Sequence, residues 1–212
     1  MDEYITDIKE ISSKKALVYI NDAPSFALYK NEADKLEIRK GYILKPEKKE
    51  ELFSQILYER ALNRALALIR AKDYSTFEIR QKLYRDHYPD EVVSKIIKEL
   101  TDGGFLNDRR FTGAYIGFYF SSKAPAMIKK DLLKKGIDKE IIEDELKSFE
   151  ADNPGYEDEM IEKLLSVKYE KEVSFMDEQD KYRFKSKVMA FLMRKGISYE
   201  KAAAGIKNYF DI

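Results

Sequence analysis

Residues 79–97 read IRQKLYRDHYPDEVVSKII, with apolar side chains at Ile79, Leu83, Tyr88, Val92 and Ile97, spaced 4, 5, 4 and 5. Ile128, Leu132, Ile137, Ile141 and Leu146 repeat those four spacings. Val188, Leu192 and Ile197 repeat the first two, and Ala202 and Ile206 continue the face with its middle position slipped by one. A step of four keeps a side chain on one helical stripe, and the step of five resets the phase. The pattern predicts a helix, a tight turn and a second helix whose stripe faces the first. Gly136 and Gly196 hold the turn position where a left-handed cap residue belongs, and His87 stands in their place. Histidine tolerates positive φ better than most residues. With no cysteine in the chain and no second histidine, a turn role for His87 is expected over metal ligation. Arg85, Lys134 and Arg194 precede the three turns by two residues, where cations suit the negative end of a helix.

A further helix is expected before each pair, over Tyr58–Ala71, Arg109–Phe120 and Tyr156–Lys171. The fold expected is mainly α: three tandem three-helix modules, stacked because each is too small to bury a large core, in an elongated or curved array. Leu52, Ile56 and Tyr58 lead into Leu62, Leu66 and Ile69 as the first module's stripe, and Pro46 suits a helix start. Upstream, Ala16–Ile20 and Ser25–Tyr29 are rich in branched and aromatic residues around a turn at residues 21–24, a β-hairpin pattern. A short strand near Ile5–Ile11, a short helix near Glu32–Ile38 and a turn at Gly41 complete a small N-terminal unit. The expected division is 1–45 (hairpin and short helix), 46–104 (module one), 105–150 (module two) and 151–212 (acidic linker and module three). The linker is read at Glu150–Glu159, with a break in module three near residues 173–181.

Charge is segregated although the 39 basic and 39 acidic residues cancel. Residues 60–136 carry a net +7, residues 137–180 a net −11 and residues 181–212 a net +6. Such blocks steer a polyanion or an oppositely patterned protein to one face. The acidic, polar start MDEYITDIKE lacks the pattern of a secretory signal, and no apolar run has the length of a membrane span. A cytoplasmic monomer that contacts no membrane is expected. There is no phosphate-cradling GxxxxGK[ST] string. Carboxylate pairs such as Asp144 and Glu145 lie in highly charged sequence, as solvated faces do. No catalytic residue, metal ligand or cofactor is assigned, and the chain is expected not to be an enzyme.

Four strings carry a resemblance. YSTFEIRQKL (residues 74–83) has a tyrosine–serine opening, an acidic residue and a basic–leucine ending. GFLNDRRF (104–111) is followed by Tyr115; KAPAMI (123–128) runs on to KGI (135–137); FLMRKGISY (191–199) closes the third repeat. Together they resemble the ordered signatures of the RecX family, over nearly the whole chain. That resemblance implies a regulator of RecA-type bacterial recombinases in recombination and DNA repair. It would bind in the helical groove of the recombinase–DNA filament, generally inhibiting its ATPase and strand exchange, with no catalytic residue. Family members usually carry glycine before the proline and basic residues after it; Ala124, Ala126 and Met127 stand there instead. The lost charge bears on direct duplex-DNA contact more than on recombinase contact.

The residues expected to bind partner are Arg80, Lys82, Arg109, Lys129 and Lys130 in modules one and two, and Arg183, Lys185, Lys187 and Lys195 in module three. Lys129 and Lys130 fall off the Ile128–Leu132 stripe and so are free to reach outward. Arg85 and Arg194 are read as helix-end cations. Tyr115, Phe118, Tyr119 and Phe120 are expected mainly in the core, with Phe111 packed on Tyr115. The competing reading is a helix-turn-helix protein acting directly on nucleic acid, against which Glu91-Val92-Val93 and Glu140-Ile141-Ile142-Glu143 are apolar and acidic where base-reading groups belong.

Overall fold

The computed structural model describes residues 3–169 and 178–210. The chain forms two compact units, Met1–Asn107 and Asp108–Ile212.

The first unit opens with strands β1 (Glu3–Glu10), β2 (Lys15–Ile20) and β3 (Ala23–Tyr29), then helix α1 (Lys30–Lys35) and strand β4 (Ile43–Leu44). The sheet order is β3-β2-β1-β4, antiparallel throughout. The β2–β3 turn is tighter than its sequence suggests. Asn21 and Asp22 both take positive φ, 49° and 66°, the geometry whose twist matches a two-residue hairpin. Ala23 and Pro24 therefore belong to β3, where Pro24 is tolerated on an edge strand. β4 was not expected; it pairs with β1 at Tyr4 and Glu3 just beyond Gly41.

Helix α2 (Pro46–Glu51) runs through a π-helical stretch, Leu52–Leu57, into α3 (Tyr58–Ala71). The wider π turn aligns residues five apart, and Leu52 and Leu57 are both buried. This shifts the inward face. The buried positions of α3 are Ala61, Ala65 and Leu68, while Leu62, Leu66 and Ile69 are only partly buried. Alanines lie innermost, where small side chains let neighbouring helices approach closely. Helices α4 (Thr76–Arg85) and α5 (Asp90–Asp102) complete the module. Val18 and Phe26 of the sheet share one core with Leu57, Leu83, Val93 and Ile96.

Ser75 starts α4. Its hydroxyl accepts from the Glu78 backbone N–H at 3.1 Å, and the Glu78 carboxylate accepts from the Ser75 N–H at 3.2 Å. This reciprocal capping box explains the serine and the acid of the first string physically. Because Ser75 is fully buried, water cannot replace its hydroxyl. Ser75→Ala should lower stability by about 1 kcal/mol, read as a lower urea midpoint with an unchanged slope.

The second unit holds α6 (Asp108–Tyr119), α7 (Pro125–Lys134), α8 (Lys139–Asp152), α9 (Tyr156–Tyr169), α10 (Glu178–Arg194) and α11 (Tyr199–Phe210). Only residues 153–155 separate α8 from α9, a shorter linker than Glu150–Glu159, and Gly155 turns the chain at φ 82°. The expected break near 173–181 falls partly on residues 173–177, which lie outside the described residues, as does the expected helix end at Lys171. Residues 178–181 are already helical.

The three turns are one structure made three times. His87, Gly136 and Gly196 have φ of 61°, 73° and 87°. Their N–H groups donate to Tyr84, Leu133 and Met193, and the next residues Tyr88, Ile137 and Ile197 donate to Leu83, Leu132 and Leu192 at 3.1, 3.2 and 3.2 Å. That is a Schellman cap with its accompanying apolar contact, and all six apolar partners are buried. Arg85, Lys134 and Arg194 are the last helical residues before it. The step of five in the sequence is this cap.

Candidate partner-binding site

Two of the expected binding cations lie in the first unit, and both touch their own module. Arg80 donates to the Ser94 hydroxyl at 3.2 Å and to the Tyr84 hydroxyl at 3.4 Å, tying α4 to α5. The Lys82 ammonium lies 4.9 Å from the centre of the Tyr74 ring.

In the second unit the carboxylate run Glu143-Asp144-Glu145 on α8 draws in two more. Arg109 donates to Asp144 at 2.9 Å and to Glu145 at 2.8 Å. Those hydrogen bonds, Asp144 first, raise the guanidinium pKa above its ordinary value. Lys129 donates to Glu143 at 2.5 Å, and that bond holds the Glu143 carboxyl below the usual range. Lys129 does lie off the Ile128–Leu132 face, but it is already paired, so a partner must compete with Glu143 for it. Asp144 and Glu145 are ion-pair acceptors, a role their sequence did not reveal. Lys130 is exposed, and among the described residues it has no ion-pair partner.

Module three holds its cations differently. Arg183 and Lys185 are exposed on α10 and, among the described residues, have no ion-pair partner. The Lys187 ammonium lies 5.5 Å from the Tyr169 ring centre and that of Lys195 5.9 Å from the Phe191 ring centre, so both charges lie over aromatic faces of the module.

The α6 aromatics form a ladder. Phe111 and Tyr115 have ring centres 6.1 Å apart, and Tyr115 and Tyr119 4.5 Å apart. Phe118 departs from the expected core role, being 76% exposed. Lys123, which the sequence did not single out, lies 3.8 Å from the Tyr119 ring centre and 2.7 Å from Asp131. Burial opposes its charge, but hydrogen bonds to Asp131 and Tyr115 outweigh that and raise its pKa. The Lys123 hydrogen bond in turn lowers that of Asp131. Ala124, just beyond, sits with module three: its N–H faces the Lys195 carbonyl at 3.4 Å, and it is buried with Leu192 and Ile197.

Among the described residues no group of three His, Cys, Asp or Glu side chains is placed to hold a metal ion. No helix among them is long and apolar enough to cross a membrane.

Comparisons with known proteins agree with this arrangement. A model described as "RecX, first three-helix domain" matches residues 61–100, and "RecX, second three-helix domain" matches residues 107–146. The regulatory protein RecX of Clostridium acetobutylicum is 27% identical over 210 residues, covering 98% of this chain and 96% of that protein. That of Bacillus subtilis is 26% identical, covering 96% of this chain and 76% of its own length. Among solved structures, RecX from Lactobacillus salivarius superposes with a TM-score of 0.61 at 25% identity, covering 74% of this chain and 98% of that one. A crystal structure of a regulatory protein RecX, 20% identical, gives 0.61 over 99% of this chain and 100% of that one, a likeness of fold.

Proposed function

This chain belongs to the RecX family of regulatory proteins, and from that premise we propose that it binds the filament a RecA-type recombinase forms on DNA and restrains ATP hydrolysis, strand exchange and filament growth. It acts by occupancy, lodging across neighbouring recombinase subunits and DNA phosphates, and not as an enzyme. The observation that supports this reading is the sorting of cations in the second unit. Arg109 and Lys129 are held by α8 carboxylates, whereas Lys130, Arg183 and Lys185 stand exposed with no ion-pair partner among the described residues. Exposed, uncompensated charge contributes little to folding and much to the encounter with an oppositely charged surface.

The helix-turn-helix reading gains little from the same geometry. Helix α5 turns Val92, Val93, Ile96 and Ile97 inward, and α8 exposes Glu143 and Asp144, acceptors already engaged by Lys129 and Arg109 where base-reading groups belong.

Reversal of charge at both Lys129 and Lys130 should weaken binding to the assembled filament about tenfold or more at fixed salt. Lys130→Glu alone should carry most of that loss, because Lys129 is already neutralised by Glu143. Filament affinity equal to the unsubstituted chain in the double variant would remove both residues from the interface.

A further inference from the structure

Helix α11 separates two grooves of opposite character. On its α9 side a groove of about 440 Å³ is lined by Asp158, Glu159 and Glu162. On its α10 side a groove of about 350 Å³ is lined by Tyr182, Lys185, Met189, Tyr199 and Ile206. Tyr182, Lys185 and Met189 recur at helical spacing on α10, and Tyr199 and Ile206 at helical spacing on α11, so each helix supplies one wall. The two tyrosines are 74% and 64% exposed. The described residues lining this groove include a lysine and no carboxylate, in a segment, residues 181–212, of net charge +6.

We propose that the Tyr182–Tyr199 groove of the third module is a binding site for single-stranded nucleic acid, its rings stacking on bases and Lys185 meeting the backbone. The inference rests on the filament reading above and names which part of the filament this module takes, the single strand. Exposed aromatic rings with an interleaved cation suit such a strand, because every base has a π-face and every nucleotide carries a phosphate. A duplex keeps its base faces stacked and offers these rings nothing. The acidic groove on the other side of α11 repels the same strand and so fixes the side on which it docks.

The test is fluorescence anisotropy of a labelled oligothymidylate with the full chain at fixed salt. Replacing both tyrosines by alanine should cost about tenfold in affinity per ring, with the slope of log affinity against log salt unchanged, since stacking releases no counterion. Replacing both by phenylalanine should leave binding near the original value. Lys185→Ala should instead shallow the salt slope by about 0.7. A second measurement needs no variant: the unsubstituted chain should bind an abasic strand of equal charge about a hundredfold more weakly than oligothymidylate, since both stacks are lost. Equal affinity for the two strands, or an alanine pair that binds as before, overturns the proposal. So does a chain that binds no oligothymidylate at all, which leaves the filament reading to the Lys129 and Lys130 experiment. An alanine pair that loses filament binding while keeping its affinity for the free strand also overturns it, and assigns the groove to protein.

Discussion

Gly196→Ala should destabilise the second unit by about 3 kcal/mol, lowering its melting transition by roughly 12–20 °C. Two costs add at this position. The residue takes φ 87°, a conformation that costs a side-chain-bearing residue about 1–2 kcal/mol. A Cβ there would also lie 2.5 Å from Met127 Cγ and 3.5 Å from Ala124 Cβ, an overpacking that costs about 1–3 kcal/mol. The steric part has a rescue: Met127→Ala in the same chain should recover about half the loss by clearing the contact, leaving the backbone cost. Equal melting of the single and double variants would show that Met127 does not press on this turn. The contact links sequence to assembly, because Met127 belongs to module two and Gly196 to module three. The cap that ends α10 is therefore also the seat of α7.

Gly205→Ala should destabilise by about 2 kcal/mol even though helix propensity argues the other way. In a free helix the exchange of glycine for alanine gains about 1 kcal/mol. Here the added carbon would collide with Cγ2 of Ile161, which is 1% exposed and packed in the module-three core. A β-branched side chain held in a helix has one strongly preferred rotamer, so Ile161 cannot swing aside. Gly117→Ala supplies the control. Gly117 is also helical, but nothing lies within 4 Å of a Cβ built there, and that variant should gain about 0.5–1 kcal/mol. Urea midpoints shifted in opposite directions are expected; a stabilised Gly205→Ala would mean that α9 and α11 pack less closely than described.

The helical repeat was legible because it is written in local physics. Spacing gave the two stripes, and the step of five with glycine or histidine gave the Schellman cap, including the positive φ of His87. What depends on contacts distant in sequence was not legible. The pairing of β4 with β1 needs residues about 40 apart to meet, and no period within Ile43–Leu44 announces it. The π-helical stretch shifted the inward face of α3 to its alanines, because a few residues of wider turn suffice to rotate everything after them.

The candidate site was legible as a set of residue types but not as a state of charge. Lys129 and Lys130 are indistinguishable in sequence, and only the placement of α8 makes one an ion-pair partner of Glu143 and leaves the other exposed. Lys123 escaped attention because its role depends on Tyr119 and Asp131, which α6 and α7 bring to it. The exposure of Tyr182 and Tyr199 was equally hidden, since a tyrosine at helical spacing suits a core as well as a groove.

The most direct measurement is ATP hydrolysis by the cognate recombinase on single-stranded DNA, at fixed salt because polyanion binding varies steeply with it. Added well below one molecule per recombinase subunit, this protein should inhibit hydrolysis, as one lodged molecule halts growth of a whole filament. Hydrolysis unchanged up to equimolar amounts, with the filament intact, would contradict that account.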